Sequence, residues 1–300
     1  MSRRLSAITA ALLLAASAHT AAAQGAPTAG VGAGFAGTGT YLMPPTVGRP
    51  PPPGIDQNYQ AYAIVTGTDM RQRPWGFAQC LREVLVKVSG DPALRNDPRT
   101  AKLAEHADHL VAGFTYADMM AGIPLHDEQG TYDRPYKLTV TFDPARIDAA
   151  LAELGERPWH GARPVIVPVL RVTGPKPPPY VLSAEIPAGA EQRGSFAVAA
   201  GEFGMMVRFP GNAELAAWGV SAGHFPSSTT KLPASPGPGE MIILGTLQWS
   251  ETLPGWIGTW RTNWHDAEHA WGVKGVSYDA AFRDIVQGAV LLASGRGSPD

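Results

Sequence analysis

The sequence predicts an α/β (α+β) protein: two small mixed sheets covered by helices, behind a signal peptide and a Pro/Gly-rich tether. Three observations carry that expectation. Tyr136, Leu138, Val140 and Phe142 alternate with Lys137, Thr139 and Thr141, the period of two of a half-buried strand. Phe77, Cys80, Leu81, Val84, Leu85 and Val88 follow i, i+3, i+4, i+7 spacing, the apolar stripe of a helix. Residues 241–249 and 256–264 read as two strands joined around Pro254-Gly255. Behind them Ser277 caps a closing helix, with Phe282, Ile285, Val286, Ala289 and Val290 on one face.

Taken in order, the chain opens with Arg3 and Arg4, an apolar run over 5–18, and the small residues Ala21-Ala22-Ala23. This is the pattern of a secretory signal peptide (1–23) cleaved near Ala23, and its run is shorter than the ~20 residues of a bilayer span. Residues 24–58 hold 8 Gly and 7 Pro with only Arg49 and Asp56 charged. Such a segment buries too little apolar surface to offset its ordering entropy, so it reads as a disordered tether. Within it, Gly32, Gly34 and Gly37 match a dinucleotide-binding spacing, but that chemistry needs a strand before and a helix after. Neither is predicted, and no cofactor is expected.

An N-terminal α/β unit is expected over 59–157. It holds a strand at 61–66, a helix from Pro74 ended by Gly90, a second helix over 98–110, and strands at 111–117 and 136–142. Asp143-Pro144 then opens a helix lined by Ile147, Ala150, Leu151 and Leu154, which Gly155 ends. A C-terminal α/β unit is expected over 160–295. It begins with a strand at 163–172, where Pro168 removes a ladder donor and argues for an edge or a bulge. An irregular 173–192 connection, a helix over 195–209, a helical turn at 213–218 and a loop over 223–239 follow. The Trp-rich strands, a third strand at 270–273 and the closing helix complete it.

Gly 34 and Pro 28 exceed ordinary usage, and the surplus gathers in the tether and the two loops. A net charge of −2 does not suit a nucleic-acid binder or a polybasic membrane-surface protein. The single Cys80 excludes an internal disulfide and a multi-cysteine zinc site, and its place on the helix stripe makes it core. No segment after the signal is long and apolar enough to span a membrane. The mature chain is expected to be soluble and periplasmic or secreted.

Several segments agree with one family. Val84-Leu85-Val86-Lys87-Val88-Ser89-Gly90-Asp91-Pro92 closes a helix, and 136–144 (Y-K-L-T-V-T-F-D-P) leads through a helix to Trp159 and Arg163-Pro164. Ile243-Leu244-Gly245, Trp260, Trp271 and the Ser277 helix follow. This order resembles the bacterial exported family named domain of unknown function 2066, over about residues 59–294. The resemblance implies an envelope protein of mixed α/β type and carries no catalytic residues.

The chemistry-bearing candidates are few. His265 and His269, with Asp266 and Glu268 between them, would bind a divalent metal on a helix, but the segment reads as a turn without a third ligand. His106 and His109 fall on a solvated face, and His126 lies with Asp127-Glu128 in a loop. No G-x-S-x-G elbow and no P-loop occur. Five of the eight tryptophans fall between 249 and 271, and Trp256, Trp260 and Trp264 share one strand face. That face is either a core packed on the closing helix or an aromatic platform for a glycan or peptidoglycan, and the exposure of the three rings separates the two. The leading expectation is a non-enzymatic envelope protein that binds a protein partner. The alternatives are a glycan-binding module at Trp256, Trp260 and Trp264 and a metal-dependent hydrolase at His265 and His269.

Overall fold

The computed structural model describes residues 48–122, 134–232 and 237–299. The segments expected to form a signal peptide and a tether lie outside them up to residue 47, as does the His126 group. The architecture is mixed α/β: two sheets, with six α-helices among the described residues.

The first sheet has the order β1-β3-β4-β2 and is antiparallel throughout. Its strands are β1 (Gly48–Arg49), β2 (Gln60–Thr66), β3 (Val111–Asp118) and β4 (Pro135–Phe142). β1 lies inside the span read from sequence as tether: Arg49 Nη2 donates to Val111 O at 2.7 Å. Helix α1 (Arg73–Ser89) turns the stripe from Phe77 to Val88, Cys80 included, onto the face that carries Ala61, Ala63 and Val65. Gly90 ends α1 at φ +71, where a Cβ would stand 2.8 Å from Ser294 and 2.9 Å from Trp159, so only glycine fits.

The helix expected over 98–110 divides. α2 (Pro98–Ala104) is capped by Asp97 and passes into a 3-10 turn, Ala107–Leu110. The apolar residues Leu103, Ala104, Ala107 and Leu110 reach the core through either geometry, so periodicity does not separate them. Helix α3 (Pro144–Glu153) follows its Asp143 cap as expected, with Asp143 Oδ1 accepting from Arg146 N.

The second sheet has the order β10-β9-β8-β5-β6, with β7 beside β5. Its strands are β5 (Val165–Thr173), β6 (Tyr180–Val181), β7 (Met206–Val207), β8 (Glu240–Ser250), β9 (Gly255–Trp264) and β10 (Ala267–Val276). β5 runs parallel to β8 and β7 and antiparallel to β6. β5 is therefore not an edge strand, and its register against β8 runs without a bulge, contrary to the edge or bulge expected from Pro168. On the side away from β8 it pairs only at Val165–Ile166 and Arg171–Val172, and the proline sits in the gap between. The helix expected over 195–209 is α4 (Ala190–Glu202), because Gly204 at φ +66 turns the chain and Met206–Val207 pairs with β5 instead. Helices α5 (Asn212–Ala217) and α6 (Tyr278–Ser294) cover opposite faces of this sheet.

A single apolar cluster runs through both sheets, from Val84 and Phe142 to Ile243, Trp260 and Phe282. The α1 terminus is where the parts lock together. Trp159 N donates to Val88 O (2.7 Å), Arg163 Nη2 to Lys87 O (2.6 Å) and Arg296 Nε to Ser89 O (3.0 Å). These satisfy carbonyls that a helix end leaves unpaired. Arg163 also stacks over the Trp159 ring at 4.0 Å, and its burial lowers the guanidinium to about 10.

Candidate functional site

The middle ring of the Trp strand is core. Trp260 is 0% exposed, and Trp256 and Trp264 are half-buried against the same cluster. Gly245 and Gly258 make room for the indole: a Cβ on either would stand 2.4 and 2.1 Å from Trp260 ring carbons. Trp260 Nε1 donates to Asp284 Oδ2 at 2.8 Å, which ties β9 to α6. A ring without exposed surface cannot stack on a sugar, so Trp260 offers no glycan face, while Trp256 and Trp264 keep part of their surface exposed.

The two histidines are not brought together on a helix. His265 and Asp266 form the two-residue β9–β10 turn with φ of 53° and 62°. His269 lies in β10, its Nδ1 3.2 Å from Ser298 Oγ. His106 and His109 stack at 5.8 Å at a 3-10 turn. Among the described residues no group of three His, Cys, Asp or Glu is placed to hold a metal ion. Cys80 is fully buried, and burial raises its thiol far above the usual range.

The feature that sequence reasoning missed is a groove of about 740 Å³ along β2. α1 supplies Trp75, Gln79, Glu83 and Lys87, four residues at i, i+4 spacing on the flank away from the core stripe. β2 supplies Tyr62 and Ile64, α4 supplies Val198 and Glu202, and β7 supplies Met206. Of the nine large apolar side chains exposed among the described residues, five line this one groove: Tyr62, Ile64, Trp75, Val198 and Met206. Scattered exposed apolar residues are normal; a gathered patch marks an interaction site.

The ionisable groups of the groove are already engaged. Lys87 Nζ lies 2.6 Å from Glu83 Oε1 and donates to Gln60 O at 2.9 Å. Burial raises the Glu83 carboxyl, with Lys87 pulling it back. Burial would raise Glu202 as well, but its hydrogen bond and ion pair with Arg283, helped by Arg95, leave it lowered. Lys137 sits 4.3 Å over the Tyr62 ring. Two acids and two lysines line the groove, so it carries no net formal charge.

Residues 55–160 match the family model of a domain of unknown function, DUF8605. The match supports a domain of uncharacterised function, as expected, but under a different family from the domain of unknown function 2066 expected from the sequence. The matched segment carries β2–β4 and α1–α3, so the β2 and α1 walls of the groove lie within it and the α4–β7 wall lies outside. No curated protein and no solved structure matches the chain.

A signal for the groove was present in the sequence. In 60–66 the small residues Ala61 and Ala63 take the inward phase and the large Tyr62 and Ile64 the outward one, the reverse of a strand that shields its bulk.

Proposed function

We propose that this is an exported, non-enzymatic envelope protein that docks a polypeptide partner in the groove between β2, α1 and α4. One observation carries the reading: five of the nine exposed large apolar side chains among the described residues converge there. Export rests on the Arg3-Arg4 start, the apolar run and the Ala21–Ala23 site. Among the described residues no helix is long and apolar enough to cross a membrane.

Photo-crosslinking in the exporting cell tests both halves. A benzophenone side chain placed at Tyr62 or Val198 should capture one polypeptide adduct, while the same group at Lys274, on β10, should not. Within the adduct, the benzophenone-bearing chain itself should begin at Gln24 by mass spectrometry. Equal adducts from all three positions would sink the groove; an intact N-terminus in the cytoplasmic fraction would sink export.

A further inference from the structure

Sheet edges are templates for another strand, and proteins protect them with short strands, charges, prolines or bulges. Among the described residues every edge but one is protected. β1, β6 and β7 have two residues each. β10 carries Glu268 and Lys274 and a register shift between Lys274 and Val276. β2 is seven residues long, Q-A-Y-A-I-V-T, with no charge, no proline and no register shift.

The direction of its backbone groups follows from Pro135, which stands opposite Thr66 in β4. Pro135 has no N–H, and its carbonyl accepts from Met119 N at 3.1 Å on the β3 side, away from β2. Thr66 is therefore at a pair that exchanges no hydrogen bonds with β4, and by the alternation of an antiparallel ladder so are Ile64, Tyr62 and Gln60. Two further bonds agree: Gly67 N donates to Arg134 O at 2.8 Å, and Gln60 O looks outward to accept from Lys87. The N–H and C=O groups of Tyr62 and Ile64 thus point off the sheet into the groove.

We infer that the occupant is an extended, uncharged polypeptide segment that adds to β2 as a fifth strand of the first sheet. This rests on the groove being the docking site. The backbone groups of Tyr62 and Ile64 supply the ladder bonds, and the apolar side chains around them receive alternate residues of the incoming strand. Paired charges in the groove complement a segment without charge of its own. β2 spans about 23 Å at ~3.3 Å per residue, so the segment engages some seven residues at most.

The test selects binders for the purified full chain from a displayed library of random 12-residue peptides. An enriched peptide is then made with single backbone N-methyl groups scanned along it, and each is titrated against wild type and Val198→Asp. Val198 is exposed, so the variant should keep its circular dichroism and Tm. Enriched peptides should be uncharged with apolar residues at alternate positions. N-methylation at alternate positions should weaken binding at least tenfold and at the intervening ones less than twofold, and Val198→Asp should weaken it at least tenfold. Loss on Val198→Asp with no alternation along the scan, or enriched peptides with helical spacing, would overturn strand addition and leave the groove standing. Peptides indifferent to Val198→Asp, no enriched peptide, or a dimer that Ile64→Asp dissolves would overturn both.

Discussion

Trp260 offers the most decisive check on its own place in the core. An indole buries ~150–250 Å², worth about 4–6 kcal/mol at ~25 cal/mol per Å². Shielding in the unfolded chain makes that an upper bound, and truncation of a buried aromatic costs ~3–5 kcal/mol. Trp260→Ala is therefore expected to lose about 3–5 kcal/mol of unfolding free energy. Trp260→Phe keeps most of the apolar fill but leaves Asp284 without its Nε1 donor, a loss of ~1.5–3 kcal/mol for a bond to a charged group. Asp284→Asn keeps an acceptor and separates charge from hydrogen bonding. Burial raises the Asp284 carboxyl above 3.8, against the pull of Trp260. A raised folded value means that this group favours the folded state below 3.8 and loses that contribution as pH rises through the folded value. Asp284→Asn should therefore gain on wild type as pH rises across that window. Urea unfolding followed by far-UV circular dichroism, at constant m, reads all three variants. Trp260→Ala within about 1 kcal/mol of wild type, below the truncation range, would refute the buried-indole account. Asp284→Asn falling behind wild type with rising pH would refute the burial of Asp284.

Gly90→Ala should cost about 1–3 kcal/mol, since the added methyl meets Ser294 and Trp159 at a positive φ; thermal melts of the two proteins check it. Glu202→Gln should cost about 1 kcal/mol, because its arginine partners are partly exposed and screened. The Glu202 carboxyl is held below 4.5, so that difference should be full above pH 4.5 and fade as pH falls through the lower folded value. Cys80 should stay unreactive toward a thiol reagent in the native state and react fully in denaturant, as its burial requires.

The local grammar of the chain is legible wherever one residue decides a geometry. Asp143-Pro144 opens α3, Gly90 closes α1 and Ser277 starts α6, because each satisfies an end group that has few other solutions. Legibility fails where a distant partner decides. The sequence around Gly204 reads as helix until Met206–Val207 finds β5, some forty residues upstream. The groove is the extreme case: its walls come from 60–64, 75–87 and 197–206, and the third lies far along the chain from the first two. Only the outward Tyr62 and Ile64 betray it locally.

The anchoring of α1 bears on how such a groove would work. Its C-terminal carbonyls are held by Trp159, Arg163 and Arg296, and Lys87 fixes the first residue of β2, so one end of the groove is rigid. A preformed site leaves the ordering cost to the occupant, which must give up the freedom of several backbone residues at ~1–2 kcal/mol each. Ladder bonds return only ~0.5–1.5 kcal/mol apiece, so hydrogen bonding alone does not hold a strand there. The net affinity has to come from apolar side chains buried against Tyr62, Ile64, Val198 and Met206. Replacing one of these should therefore change affinity more than any single lost ladder bond. An occupant that is already extended before it binds should dock more tightly than the same sequence in a free coil.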